Sequence, residues 1–324
     1  MKNFWQDIKK IGEPFLALAP MEGVTDFVFR DIMSDLAKPD VLFTEFTSAE
    51  SLDSLGYDKT IPRLKFSEKQ RPIVAQIWGV SPRSFEKAAR LVQELGFDGI
   101  DLNMGCPDKN VLKRGAGANL ITNPSLTTEL ISAIRTGAPD LPLSIKTRLG
   151  FNKIITEEWI TFLLEQKIEA LTIHGRTAKQ LSKVDANWEE IKKSVEIKNA
   201  VSPSTIVIGN GDVFTYADSI QRYKETGVDG VMIGRGIFHD PFLFEKSING
   251  SSHTTKEHLE LLLTHSKLFS DYWQDSKNFA EMRRFFKIYV KSFRGATKLK
   301  VALMETQNYD EVEKLIKPVL NSLS

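Results

Sequence analysis

Short runs of Val, Ile and Leu recur along the chain with longer helix-like segments between them, and this alternation limits the folds open to it. The runs predict strands at 15–20, 41–46, 72–78, 99–103, 143–148, 170–174, 205–209 and 230–234. They are mostly apolar rather than alternating, as parallel strands covered by helices are. Between them lie helix starts: Ser81-Pro82, Asn123-Pro124, and Thr156 with Glu157 and Glu158 in its first turn. Leu95-Gly96-Phe97-Asp98-Gly99 and Thr226-Gly227-Val228-Asp229-Gly230 are near-identical helix-to-strand turns, a mark of a repeated βα unit. Eight such units, restarting roughly every 25 to 40 residues, predict a (β/α)8 TIM barrel. A doubly wound open sheet fits less well, because no glycine-rich dinucleotide fingerprint follows the first strand.

After about residue 249 the strand signal stops. Helical segments are predicted at 254–273, 276–293 and 309–320, which gives an α/β barrel over 1–249 and an appended all-helical domain over 250–324. The net charge of +1 carries no whole-molecule message, but residues 281–300 do. Arg283, Arg284, Lys287, Lys291, Arg294, Lys298 and Lys300 face only Glu281 there, with Phe285, Phe286, Tyr289 and Phe293 interleaved. Such a stretch is either a solvated helix face or a phosphate-binding surface.

A single cysteine excludes an intrachain disulfide and a multi-cysteine zinc site. The first fourteen residues lack the apolar core of a signal peptide. No apolar run approaches the ~20 residues that span a bilayer. A cytoplasmic protein without membrane contact is expected.

Barrel enzymes build their sites at the C-terminal ends of the strands. Here those ends carry Pro20, Met21 and Glu22; Thr44-Glu45-Phe46; Gln76; Asn103 and Cys106; Lys146 and Arg148; His174 and Arg176; Asn210, Gly211 and Asp212; and Gly234 and Arg235. Polar groups at nearly every strand end are hard to explain by packing. The glycine-rich loops after the last two strands suit a phosphate, and Arg235 adds charge. Gln76 and Asn210 suit the edge of a heteroaromatic ring. Lys146 suits an anionic ring or, equally, a Schiff base. No histidine and carboxylate set has metal-ligand spacing, so no metal is expected. Cys106 alone reads as a small buried apolar residue, but its place beside Asn103, ahead of the glycine-punctuated stretch 113–119, marks it as a site residue with a flexible lid.

Taken in order, Ala19-Pro20-Met21-Glu22-Gly23-Val24-Thr25-Asp26, Asp101-Leu102-Asn103-Met104-Gly105-Cys106-Pro107, Lys146-Thr147-Arg148, His174-Gly175-Arg176-Thr177, Asn210-Gly211-Asp212 and Gly234-Arg235-Gly236 resemble the tRNA-dihydrouridine synthases along essentially the whole chain. The resemblance implies an FMN-dependent enzyme, driven by NADPH or NADH, that reduces the C5–C6 bond of uridines in tRNA. It implies that Pro20, Met21, Glu22, Gln76, Lys146 and His174 line the flavin. Asn210, Gly211, Asp212, Gly234 and Arg235 would hold its phosphate. Cys106 would donate the proton to C5, Asn103, Arg148 and Arg176 would face the substrate, and the helical domain, with Arg283, Arg284 and Lys287, would bind tRNA. A monomer is expected. Asn119 departs from the small residue that the pattern more often carries. The competing readings are an FMN-dependent barrel oxidoreductase acting on a free pyrimidine, a Schiff-base aldolase and a non-catalytic tRNA-binding protein.

Overall fold

The structure, a computed structural model, describes residues 3–9, 12–250 and 252–323. Among them are nine strands: β1 (Phe15–Leu18), β2 (Leu42–Phe43), β3 (Thr47–Ser48), β4 (Ile73–Trp78), β5 (Gly99–Asn103), β6 (Leu143–Arg148), β7 (Ala170–His174), β8 (Ile206–Asn210) and β9 (Gly230–Ile233). All pairings are parallel, in the order β1-β9-β8-β7-β6-β5-β4-β2, and β3 also pairs with β4. A parallel bridge between Ala17 and Val41 joins the two ends of that path and closes the barrel. The second expected strand is split. The hydroxyl of Thr44 accepts from Gln76 N at 3.1 Å, so a side chain stands where a ladder carbonyl would, and pairing resumes only at Thr47.

An acid at the start of every second strand caps its neighbour. Asp40, Asp98, Glu169 and Asp229 accept from the N–H groups of Leu16, Ile73, Leu143 and Val207 at 2.7, 2.8, 2.8 and 2.9 Å. Each satisfies a donor that the ladder leaves open at the start of the strand. The repeated turns carry this cap after a glycine in the left-handed region, Gly96 at φ 78° and Gly227 at φ 73°.

The lower barrel is filled by Trp5, Phe15, Phe43, Val74, Ala170 and Ile206. A second, larger core packs the outer strand faces against the helices. The helix starts follow the sequence signals. Ser81 and Asn123 cap with their side chains, accepting from Ser84 N and Leu126 N, while Thr156 is the first helical residue behind an uncapped Ile155.

Beyond β9 the chain is helical. Thr254 and Glu257 form a capping box at the head of the helix Thr255–Trp273. The expected helix at 276–293 is instead a 3-10 turn, Phe279–Met282, followed by the helix Arg283–Tyr289. Gly295, at φ 97°, then starts a further helix, Ala296–Met304, before the last one, Tyr309–Ser322. No helix among the described residues is long and apolar enough to cross a membrane.

Candidate active site

Side chains alternate across a strand, so Asp101 and Asn103, Ser144, Lys146 and Arg148, and Thr172 and His174 share the inner face of the barrel. The upper members open into one cleft at the strand ends. It encloses about 940 Å³ of non-protein space, open mouth included. Pro20, Met21, Gln76, Asn103, Cys106, Lys146, Arg148, His174, Arg176, Asn210, Gly211, Asp212, Gly234 and Arg235 all line it. Glu22 does not. It lies on the rim in a bidentate pair with Arg63 at 2.6 and 2.7 Å.

Cys106 is half-buried, and burial pushes its thiol above its ordinary pKa, so it is protonated at neutral pH. Its loop is fixed by backbone bonds. Asn103 Oδ1 accepts from Gly105 N and Cys106 N at 3.1 and 3.0 Å, and Cys106 O accepts from Ala118 N at 3.0 Å. The stretch that follows is packed rather than a lid. It forms the short helix Lys109–Lys113 and the 3-10 turn Gly117–Thr122, with Ala116, Ala118 and Leu120 fully buried. Gly117 sits at φ 61°, where a Cβ would lie 2.7 Å from Val111 and 2.8 Å from Cys106 O.

Lys146 Nζ donates to Asn210 Oδ1 at 3.1 Å, and Asn210 Nδ2 donates to Met232 O at 2.8 Å. Burial, then repulsion from Arg148, lowers the Lys146 ammonium to about 8, leaving it charged at pH 7. His174 is driven well below its ordinary value by burial and by the surrounding Arg and Lys charges, so its ring is neutral. Arg176 Nη1 lies 3.1 Å from its Nε2. A guanidinium only donates, so Nε2 accepts and Nδ1 carries the proton. Arg148 Nε donates to Gly105 O at 2.7 Å, which ties it to the Cys106 loop.

Asp212 adopts the left-handed region at φ 49°. Its carboxylate accepts from Arg176 Nη2, from Arg235 Nη2 at 3.1 Å and from Ala186 N at 2.8 Å. Burial would raise its pKa, but these partners outweigh it and hold the group below the usual carboxylate range. Asp212 therefore anchors two guanidinium groups at one end of the cleft and leaves that end net positive.

Two acids without an expected role are built into the site. Asp101 is fully buried beneath the cleft, and Glu45 accepts from Gly23 N at 2.6 Å. An acid inside an otherwise apolar parallel strand, as in Gly99-Ile100-Asp101-Leu102-Asn103, is the signal that points to the first. Among the described residues no group of three or more His, Cys, Asp or Glu could hold a metal ion.

The basic stretch divides. Arg284 donates to Gly23 O, Lys291 donates to His239 O, and Lys287 lies 5.3 Å over the Phe238 ring. That part of the charge docks the helices on the barrel. Arg283, Arg284, Lys287 and Lys300 also line a shallow outer groove with Val301 and Met304. The interleaved Phe285, Phe286 and Tyr289 are buried core residues, not a stacking platform. Phe285 stacks on Phe29, and Tyr289 pairs with His265 Nδ1 at 2.8 Å.

A closed parallel barrel that gathers a protonated thiol, an ammonium and several guanidinium groups into one cleft at its strand ends is the frame of a barrel enzyme. Two solved structures share that fold, histamine dehydrogenase from Rhizobium sp. 4-9 at a TM-score of 0.54 and 15% identity and a 2-naphthoyl-CoA reductase at 0.54 and 12%. They match 80% and 75% of this chain, which spans about half the length of each (50% and 52%). The dihydrouridine synthase (Dus) family model matches residues 17–324, and the chain belongs to that family, whose members are oxidoreductases acting on uridines of tRNA. It is 46% identical over 318 residues to a probable tRNA-dihydrouridine synthase of Staphylococcus aureus (strain COL), covering 97% of this chain and 95% of that one. It is 44% identical to the probable tRNA-dihydrouridine synthase 2 of Bacillus subtilis (strain 168), covering 97% and 96%.

Proposed function

We propose that the cleft binds FMN, that NADPH or NADH is the reductant, and that Cys106 protonates C5 of a uracil turned out of the tRNA stack. The observation that carries the reading is a half-buried thiol in a cleft that also holds the Lys146 ammonium and several guanidinium groups. The donor set fits a flavin phosphate. One end of the cleft carries Arg176 and Arg235, anchored by Asp212, beside the glycine-rich stretches at Gly211 and Gly234. Farther along, Lys146, Gln76 and Asn103 offer N–H donors.

When bound, FMN supplies the hydride that adds to C6 of the uracil. The remaining steps fall to the chain. The cleft must receive a single flat base, which has to leave its stack to enter. Hydride addition leaves negative charge on C5 and O4. Cys106 is positioned to pass its proton to C5, which completes a two-electron reduction. A carboxylic acid at this place would be ionised at neutral pH, whereas a half-buried thiol keeps its proton. Lys146 offsets negative charge within the cleft.

The test is the visible spectrum of the purified protein. Flavin bands that bleach with NADPH in the absence of oxygen, followed by dihydrouridine formation in added tRNA, are expected. A colourless protein that takes up no FMN overturns the cofactor and the cleft assignments together. FMN binding is also expected to weaken as pH rises through about 8, where Lys146 loses its charge. In Lys146→Met that pH dependence should vanish, as fluorescence titration at pH 7 and pH 9 would show.

We assign residues 1–249 to the catalytic barrel and 250–324 to tRNA binding, in a monomeric cytoplasmic enzyme. Replacing Arg283, Arg284 and Lys287 together by alanine should weaken tRNA binding and flatten its salt dependence. The slope of log K on log salt should fall by about 0.7–0.9 for each phosphate that these side chains no longer neutralise. An unchanged slope places the tRNA surface elsewhere.

A further inference from the structure

Beneath the cleft floor a chain of side-chain hydrogen bonds runs from strand β6 through β5 and β4 to the Cys106 loop. Ser144 Oγ donates to Asp101 Oδ1 at 2.6 Å, and Gln76 Nε2 donates to Asp101 Oδ2 at 2.7 Å. Asn103 Nδ2 donates to Gln76 Oε1 at 2.9 Å. Asn103 Oδ1 then accepts the Gly105 and Cys106 amides. Asp101, Gln76 and Ser144 are fully buried and Asn103 nearly so.

The direction of this chain is fixed at both ends: the Gly105 and Cys106 amides only donate, which turns Asn103 Oδ1 toward them, and at the other end stands Asp101. Gln76 and Asn103 each carry an oxygen and a nitrogen of similar shape, so either amide is free to turn over unless a neighbour forbids it. An ionised carboxylate only accepts. With Asp101 ionised, Gln76 must present its nitrogen to it and its oxygen to Asn103. Asn103 must in turn present its nitrogen to Gln76 and its oxygen to the two backbone amides. Were Gln76 turned over, its oxygen would face a carboxylate and its nitrogen the Asn103 nitrogen, and Asn103 would lose the bond that braces it against β4.

We propose that Asp101 is a positioning residue for Cys106. Its carboxylate holds Gln76 in the orientation that Asn103 needs, so that Asn103 clamps the Cys106 loop and each amide keeps an N–H donor for whatever fills the cleft. Asn103 Oδ1 takes two bonds within the chain and Gln76 Oε1 one, and each amide nitrogen retains one proton. The catalytic meaning of this role rests on Cys106 as the proton donor, but its geometry does not.

Cys106 is the only cysteine, so alkylation of the full-length protein by iodoacetamide reads its loop directly, without turnover. In holoenzyme of matched FMN content, Asp101→Leu is expected to raise the alkylation rate about five-fold or more as the loop loosens and the thiol gains access. Asp101→Asn, able to accept from Gln76 through Oδ1 and donate to Ser144, should stay within about two-fold of the parent. Gln76→Leu breaks the same chain one link on. It should match Asp101→Leu, and the double variant should be no faster than either, because residues acting through one chain are not additive. Should Asp101→Leu not fold, Asp101→Ala carries the same expectation.

Parental rates in the folded Leu or Ala variant overturn the proposal. So does an Asn variant as fast as the Leu variant, since charge and not orientation would then be at work. A protein that follows these rates but reduces no uridine supports the positioning role and removes the functional reading. Full uridine reduction with unmoved rates does the reverse.

Discussion

Replacing Cys106 by alanine is expected to lower the rate of uridine reduction by about 10²–10⁴-fold, the usual contribution of a positioned general acid. FMN and tRNA affinities should remain near the parent's. The reason for the split lies in how the loop is held. Its anchors are Cys106 N on Asn103 Oδ1 and Cys106 O on Ala118 N, and both are backbone groups that alanine keeps. The substitution takes away the proton and little else. Serine should recover little of the loss, because its hydroxyl is a far weaker acid than a thiol. Mixing NADPH-reduced enzyme with tRNA in single-turnover experiments separates the two outcomes. Slow reduction with unchanged tRNA affinity supports Cys106 as the donor, and parental rates remove it from that role. The pH dependence has a definite sign. Burial raises the thiol, so its acid form is fully present at neutral pH and is lost only on the alkaline side. Activity limited by this group should fall with rising pH and not with falling pH.

The second large effect is on stability. Arg30 is wholly buried in the helix Phe27–Leu36. Its guanidinium donates to Thr25 O and Lys65 O, both at 2.6 Å, and to Gln70 Oε1 at 3.0 Å. Burial lowers its pKa to about 10, against the pull of Asp26, Glu45 and other neighbours, so it stays charged. Arg30→Met fills much of the same space but strands two carbonyls and an amide oxygen and removes a cation from beside Asp26. Breaking a buried charged network of this kind costs about 3–5 kcal/mol. The melting temperature should fall by on the order of 10 °C. Arg30→Lys keeps the charge but cannot reach three acceptors at fixed angles, so it should fall between the two. FMN retention should weaken alongside, because Thr25 belongs to the loop that places Pro20 and Met21 in the cleft. A Met variant that melts like the parent would mean that water satisfies those groups.

Much of this architecture was legible in the sequence because parallel strands are short, apolar and separated by capped helices. All eight expected strands form, and the two matching Gly-x-Asp-Gly turns make the same cap at Asp98 and Asp229. Where pairing depends on a side chain, the pattern fails. Nothing in the run 41–46 announces that the Thr44 hydroxyl would replace a ladder bond and divide the strand. Reading the strands as mostly apolar runs also overlooks an alternation in Leu-Ser-Ile-Lys-Thr-Arg, whose Ser144, Lys146 and Arg148 share the inner face. That alternation shows that the upper barrel is polar within, and Asp101 belongs to the same layer. The helical region was less legible, because its aromatic residues suit a core as well as a surface. Gly295 was the only mark of the break between its middle helices. For the cleft, residue types at strand ends sufficed. For Glu22 they did not, since its pairing with Arg63 depends on a segment some forty residues away.

The loop after β1 serves both halves of the molecule. Its early residues, Pro20 and Met21, line the cleft. Its last, Asp26, accepts from Phe29 N at 3.0 Å, from Trp273 Nε1 at 2.8 Å and from Lys277 Nζ at 2.9 Å, and Arg284 closes on Gly23 O between them. On the proposed function, an RNA resting on the helices would be measured from the same few residues that line the cleft. The interval between resting surface and cleft would be a fixed length, as in a caliper with locked jaws. Choosing a nucleotide would then need no reading of its sequence, only of how far it lies from the place where the fold of the RNA comes to rest.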